Sequence, residues 1–217
     1  MGEFVKKLFL ICCVASVVSF ACAIDQVLSF EEGVALAKAT QEKFGGFEYL
    51  EKALLATGGP VIEKFEKVKK VMTDPQYIFT VIEPSESDPY YYVCCYMKAH
   101  YDDSAYYTKI GMTMLSKVQD GVYWLDRLHV DYTQRKNGLG TTLFLYTQQV
   151  MRQIVGKSDF LTSYCLSLKA EPFGEGRKLD QYSLNSFYRS LSGHQEEDDV
   201  FRWRGVPLKP FYLFAKK

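Results

Sequence analysis

The chain has 217 residues, 47% of them hydrophobic, with 26 basic and 26 acidic side chains, enough length and apolar content to bury a core as one domain. That composition excludes a disordered, collagen-like or polytopic membrane chain. A net charge of zero and an isoelectric point near 6.8 supply no overall field to gather nucleic acid, so no nucleic-acid partner is expected and a charged ligand must meet a local patch.

Lys6 and Lys7 precede a largely apolar run from Leu8 to Val18, and Ala21-Cys22-Ala23 places small residues where a signal peptidase reads. Residues 1–23 therefore read as a cleavable signal peptide, which implies a secreted, periplasmic or lumenal protein without stable membrane association after cleavage. The alternative is an N-terminal membrane anchor, although Leu8 to Ile24 spans 17 residues where about 20 are usual for crossing hydrocarbon. Residues 24–217 would form the mature chain, with a helical part over 24–75 and a sheet-bearing core over 76–217. Of six cysteines this chain keeps Cys94, Cys95 and Cys165, an odd number that cannot pair fully and is no disulfide framework. Cys94 and Cys95 are adjacent in an apolar run and should point to opposite faces of a strand, as buried thiols or as a strained vicinal disulfide.

In chain order, Ser29-Phe30-Glu31-Glu32 has the S-x-x-E pattern of a capping box and opens a helix that Gly45-Gly46 ends. Phe47 to Thr57 reads as a second helix, and Pro60 starts a third that runs to Thr73. The texture then changes to strands over Tyr77–Glu83, Tyr90–His100, Ala105–Val118 and Val122–Tyr132, separated by turn residues. This is an antiparallel meander. Seven tyrosines between Tyr90 and Tyr107 fit the β-propensity of Tyr, with an aromatic cleft as the alternative. Leu139, Leu143, Tyr146, Val150 and Ile154 mark a helix, Phe160 to Leu168 a strand, and Leu184, Phe187, Tyr188 and Leu191 one face of a further helix. Val206 to Ala215 reads as a closing strand, and Glu196-Glu197-Asp198-Asp199 as a solvated loop or an attractant for a cationic amine.

Chemistry concentrates in Leu128 to Leu143. A strand runs into a basic, Gly-containing turn that opens a helix, so successive N–H groups face outward at the positive end of a helix dipole. In this anion cradle Gly138 and Gly140 would allow close backbone approach, Arg135 and Lys136 would add charge, and Thr141 and Thr142 would offer hydroxyls. The spacing is neither a P-loop nor G-x-G-x-x-G. His100, His129 and His194 have no ligand spacing with Cys, Asp or Glu, so no metal is expected.

Leu128-x-Val130 followed by Arg135-x-x-Gly138-x-Gly140 resembles the [QR]-x-x-G-x-[GA] signature of the GNAT superfamily of acyl-CoA-dependent N-acyltransferases. The resemblance covers about residues 76 to 217 and implies a mixed, mostly antiparallel α/β (α+β) sheet flanked by helices and preceded by N-terminal helices. It implies acetyl-CoA as acyl donor and an amine acceptor, a small molecule or a peptide. Leu128, His129 and Val130 would pair with the pantetheine arm through main-chain groups. The stretch of Arg135, Lys136, Asn137, Gly138, Leu139, Gly140 and Thr141 would hold the pyrophosphate. Tyr188 stands at the position of the tyrosine that protonates the departing thiolate.

The chain departs from the family in a longer loop over Glu171–Asp180, in one extra residue between Tyr188 and Gly193, and at three single positions. Gln181 and Leu184 fill slots that often hold Asn and Ala, and Trp124 stands where many members carry a Glu base. Asp126, two residues on and on the same strand face, is the replacement candidate for the base. Two functions follow: an exported N-acetyltransferase, or a catalytically inactive GNAT-fold binding module outside the cytoplasm. A homodimer through a free meander edge is open.

Overall fold

A computed structural model describes residues 27–46, 62–156, 164–170, 180–191, 194–195 and 199–205. The signal peptide expected over residues 1–23, the helix expected over Phe47–Thr57 and the strand expected over Val206–Ala215 lie outside the described residues.

A short strand β1 (Val27–Ser29) leads into helix α1 (Phe30–Phe44), and helix α2 (Ile62–Thr73) follows. The meander is β2 (Tyr77–Ile82), β3 (Tyr90–Tyr101), β4 (Ser104–Gln119) and β5 (Val122–Val130). Then come α3 (Leu139–Gly156), β6 (Tyr164–Lys169), α4 (Gln181–Arg189), β7 (His194–Gln195) and β8 (Val200–Gly205). The strands lie in the order β2-β3-β4-β5-β6-β8-β7, with β1 paired to β4. All neighbours are antiparallel except β5 and β6. This is the mixed, mostly antiparallel sheet flanked by helices that the motif implied.

Local chemistry sets these elements. Ser29 Oγ accepts from Glu32 N–H at 3.2 Å while the Glu32 carboxylate accepts from Ser29 N–H at 3.0 Å, which completes the capping box. Asp102 and Asp103, at φ 44° and 62°, form the left-handed pair of a tight hairpin turn between β3 and β4. Helix α1 buries Gly33, Ala37, Thr40 and Phe44, and Thr40 Oγ1 accepts the Val81 N–H at 3.1 Å. It thus covers the outer edge of β2, which would otherwise be an open pairing template.

Helix α3 is buried on nearly every side. Leu139, Leu143, Tyr146 and Val150 pack with Phe44, Val71 and Phe79, while Phe144, Leu145, Met151 and Val155 pack with Leu115, Leu125, Leu166, Phe201 and Trp203. Gly111 permits the close approach of helix to sheet, since a Cβ there would lie 2.8 Å from Leu143 Cδ1. The opposite face of the sheet holds Leu28, Tyr92, Cys94, Tyr96, Tyr107 and Met112. Cys94 and Cys95 therefore do face opposite sides, and with Cys165 they are free thiols. Tyr92, Tyr96 and Tyr107 belong to the core, so much of the tyrosine run is sheet packing.

Two boundaries differ from expectation. Strand β5 stops at Val130 rather than Tyr132, because the Asp131 carboxylate accepts Thr133 N–H and Oγ1–H at 2.9 and 2.7 Å and starts a 3₁₀ turn over Tyr132–Gln134. Strands β7 and β8 stand where no strand was expected: Phe201 and Trp203 are buried while Arg202 and Arg204 alternate with them, a half-buried strand whose arginines mask its apolar pattern.

Candidate functional site

The site is built where β5 parts from β6. Their parallel pairing runs only from Val122 to Trp124, opposite Cys165 to Ser167. On the other edge of β5, Leu125 pairs with Leu115 and Arg127 with Met114, which leaves Asp126 as an extra residue. Such a bulge bends its strand. The bend coincides with the point of departure, so from Leu125 to Val130 no described strand pairs with that edge. Asp131 N–H donates to Ile110 C=O at 2.8 Å; by alternation the main-chain groups of His129 also face β4, whereas those of Leu128 and Val130 face the open edge. The Val130 carbonyl accepts Arg135 Nε–H at 3.2 Å. The expected main-chain role of His129 is thus corrected by strand phase, and the open edge keeps both groups of Leu128 and the N–H of Val130.

Beyond the 3₁₀ turn the chain passes Lys136 at φ 71° and Gly138 at φ 85° before α3 begins at Leu139. Among the described residues the amides of Lys136, Asn137, Gly138, Leu139, Gly140 and Thr141 donate to no backbone carbonyl, and Thr142 N–H is the next to do so, to Gly138 at 2.9 Å. Six successive donors therefore surround the positive end of α3, an arrangement suited to a phosphate. Lys136 and Asn137 are exposed, Arg135 is half-buried and Leu139 is core.

The two glycines of the cradle meet different surroundings. A Cβ on Gly138 would lie 3.0 Å from Lys67 Cβ of α2, and one on Gly140 would lie 3.6 Å from Phe187 Cζ and 3.7 Å from Val130 Cγ2. The missing side chain of Gly138 makes room for Lys67 of α2, whereas a methyl on Gly140 would meet only ordinary contacts. Thr142 is fully buried and donates its hydroxyl to Gly138 C=O at 3.0 Å, so it offers none to a phosphate; Thr141 is buried as well. Lys67, exposed beside the turn, was not identified from sequence, because its neighbourhood with Gly138 is a contact between distant segments.

Tyr188 is 6% exposed and lies within an aromatic cluster of Phe144, Phe187, Phe201 and Trp203. Burial pushes its pKa up to about 12, so it holds its proton at neutral pH. Phe187 reaches Gly140, which sets α4 against the cradle. Gln181 donates to the Ala170 carbonyl and to Asn185 Oδ1, tying α4 to the end of β6.

Asp126 is exposed. Leu125 and Leu128 pack on the α3 face, so the bulge turns Asp126 and Arg127 to the opposite face, with Trp124 and His129. The imidazole of His129 is held below its usual pKa, first by burial and then by Arg135, with Arg127 and Lys109 adding to this and Asp131 opposing it. Asp131 is held low by the hydrogen bonds from Thr133. The two catalytic candidates thus lie on opposite faces of the sheet, one on each side of the open seam. Among the described residues no group of His, Cys, Asp and Glu is placed to hold a metal, and no helix is long and apolar enough to cross a membrane.

The sequence matches no family model and no curated protein. It is similar to solved structures at low identity. A putative GNAT-family acetyltransferase from Desulfovibrio desulfuricans is 14% identical, with 84% of this chain and 97% of that one covered at a TM-score of 0.35. The PaiA N-acetyltransferase from Thermoplasma acidophilum in complex with coenzyme A is 13% identical, with 84% and 98% covered at 0.33. A KacTA–DNA complex is 16% identical, with 68% and 80% covered at 0.39. The fold is GNAT-like. Its mixed, mostly antiparallel sheet flanked by helices is the one that the Arg135-x-x-Gly138-x-Gly140 signature implied.

Proposed function

We propose that this protein is an N-acetyltransferase that uses acetyl-CoA and works outside the cytoplasm after removal of residues 1–23. The observation that carries the reading is the run of six amides, Lys136 to Thr141, that donate to no backbone carbonyl among the described residues, at the end of a strand edge that no described strand pairs. The residues present fit the donor: the amides and the Lys136 and Lys67 ammonium groups suit its phosphates, and the open edge at Leu128 and Val130 suits an amide-bearing arm. When bound, acetyl-CoA supplies an activated thioester acyl group.

The chain's own groups then divide the proton work. Asp126, exposed at the bulge, accepts a proton from the acceptor amine on one face of the seam. Tyr188 Oη holds a proton on the other face, where a thiolate leaves. When the amine adds to a thioester carbonyl, the amine and the sulfur are separate substituents of the tetrahedral carbon, so the base that takes the amine's proton and the acid that protonates the sulfur are separate groups. The N–H of Leu128 is placed to donate to a developing oxyanion.

A second reading, an inactive GNAT-fold binding module, is favoured by Trp124 where a carboxylate base is common. Titration calorimetry of acetyl-CoA into the full chain tests the cofactor claim. Micromolar binding supports it, and no heat together with an unchanged melting temperature at saturating ligand overturns it. Binding without transfer to any amine selects the second reading. Export is tested by N-terminal sequencing of the secreted fraction, with Ile24 expected first.

A further inference from the structure

Val130 is the last residue of β5, and Arg135 immediately precedes the amides of the cradle. One side-chain bond joins the two, from Arg135 Nε–H to Val130 C=O at 3.2 Å. The chain between them is held by bonds of its own. Asp131 N–H donates to Ile110 C=O at 2.8 Å, Gln134 N–H to Asp131 C=O at 2.9 Å and Arg135 N–H to Tyr132 C=O at 3.5 Å. The Asp131 carboxylate accepts both the N–H and the hydroxyl of Thr133. Arg135 is half-buried, with φ −69° and ψ 156°, and its side chain closes a short loop whose interior is already tied.

This bond changes what the open edge offers. By strand phase the main-chain groups of Leu128 and Val130 face the side that no described strand pairs. With the Val130 carbonyl engaged by Arg135, the edge presents Leu128 N–H, Leu128 C=O and Val130 N–H, and the cradle amides follow from Lys136 onward. Edge and cradle belong to different elements, a strand end and a helix start. A ligand that engages both gains full affinity only where their separation is fixed beforehand. We propose that Arg135 is a positioning residue: its Nε–H bond to Val130 C=O sets the spacing between the open edge of β5 and the amides of Lys136 to Thr141, so that one acyl donor fits both. The working group is the N–H rather than the positive charge.

This inference rests on the transferase reading, and the variants separate N–H from charge. Arg135→Gln, which the [QR] position of the signature admits, keeps an N–H directly after Cδ, where Arg carries Nε, and removes the charge. Arg135→Lys keeps the charge but has a methylene at that point. Arg135→Met has neither. Calorimetric titration of acetyl-CoA into the full chains should give a Kd within about threefold of wild type for Arg135→Gln, and about tenfold weaker for Arg135→Lys and Arg135→Met, the scale of one hydrogen bond to a charged group. ADP, a diphosphate without the amide-bearing arm, should bind all of these proteins alike in NMR titrations, because spacing matters only to a ligand that bridges both parts. Loss of ADP and acetyl-CoA affinity together, wild-type affinity in Arg135→Lys with loss in Arg135→Gln, or wild-type affinity in Arg135→Met would each overturn the inference and leave the transferase reading in place. The bond is also read without ligand. In the wild-type chain the Arg135 Nε–H should exchange slowly with water and show a scalar coupling across the hydrogen bond to the Val130 carbonyl carbon; a rapidly exchanging Nε–H would overturn the inference whatever the chain binds. A protected Nε–H in a chain that binds no acetyl-CoA would overturn the transferase reading and leave the bond between strand end and cradle standing.

Discussion

Gly138 and Gly140 stand two residues apart in the cradle, and the structure assigns them opposite responses to the same substitution. Gly138 has φ 85°, a conformation that costs an L-residue about 1–2 kcal/mol. A methyl group there would also press on Lys67 Cβ at 3.0 Å, with Lys67 backbone atoms at 3.7 Å, so α2 must yield as well. Together these give about 2 kcal/mol for Gly138→Ala, a fall in Tm of about 4–8 °C for a chain of this size. At Gly140 the methyl would meet Phe187 and Val130 at 3.6 and 3.7 Å, ordinary contact. The position is helical, where Ala is favoured over Gly by up to about 1 kcal/mol, so Gly140→Ala should leave Tm unchanged or slightly raised. Acetyl-CoA titration should follow the same division. Gly140→Ala keeps every amide in place and retains affinity, whereas Gly138→Ala shifts the turn and Lys67 and weakens affinity tenfold or more. Thermal melts by circular dichroism decide the first part. A Gly138→Ala protein that melts with the wild type, or a Gly140→Ala protein that suffers more, would refute this account of the turn.

Three further outcomes are expected. Asp126→Asn should lower kcat at pH 7 by 100-fold or more with unchanged acetyl-CoA affinity, as for loss of a general base; an unchanged kcat would assign the proton to water or to another group. Tyr188 and Tyr123 are both pushed up to about 12, chiefly by burial, against about 10 unfolded, so their contribution is complete below pH 10 and declines between pH 10 and 12 as the unfolded chain ionises first. For Tyr188 the two-unit difference is on the order of 3 kcal/mol, and urea melts of Tyr188→Phe should lose correspondingly less stability over that window. Thr40→Val removes the acceptor of the Val81 N–H and should cost about 1–3 kcal/mol in denaturant melts, while Thr40→Ser, which keeps the oxygen, should cost less.

What could be read in advance divides along the range of the interaction. The capping box at Ser29, the turn at Asp102-Asp103 and the stripe Leu139, Leu143, Tyr146 and Val150 are local, and each is where its pattern put it. The position of Lys67 against Gly138, the pairing of β1 with β4 and the burial of Thr142 depend on segments distant in the chain. No window of sequence contains them. Gly138 and Gly140 show the difference within one motif: both stand in the glycine signature, but only at Gly138 do a positive φ and the contact with α2 require glycine.

The bulge at Asp126 is an intermediate case, and it bears most on function. Along β5 the residues on the α3 face are Tyr123 and Leu125, then Leu128 and Val130. The apolar phase thus moves from odd to even positions between Leu125 and Leu128, and one extra residue is what a period of two requires to make that change. The shift is visible in the sequence as Asp126-Arg127, two charged residues in succession inside a strand. Without it, either Leu128 and Val130 would leave the core or β5 would continue beside β6 and close the seam. The residue that absorbs the phase change is also the one carboxylate of the described strands β4, β5, β6 and β8, so under the proposed transferase reading the same local irregularity opens an edge for the acyl donor and presents a base beside it.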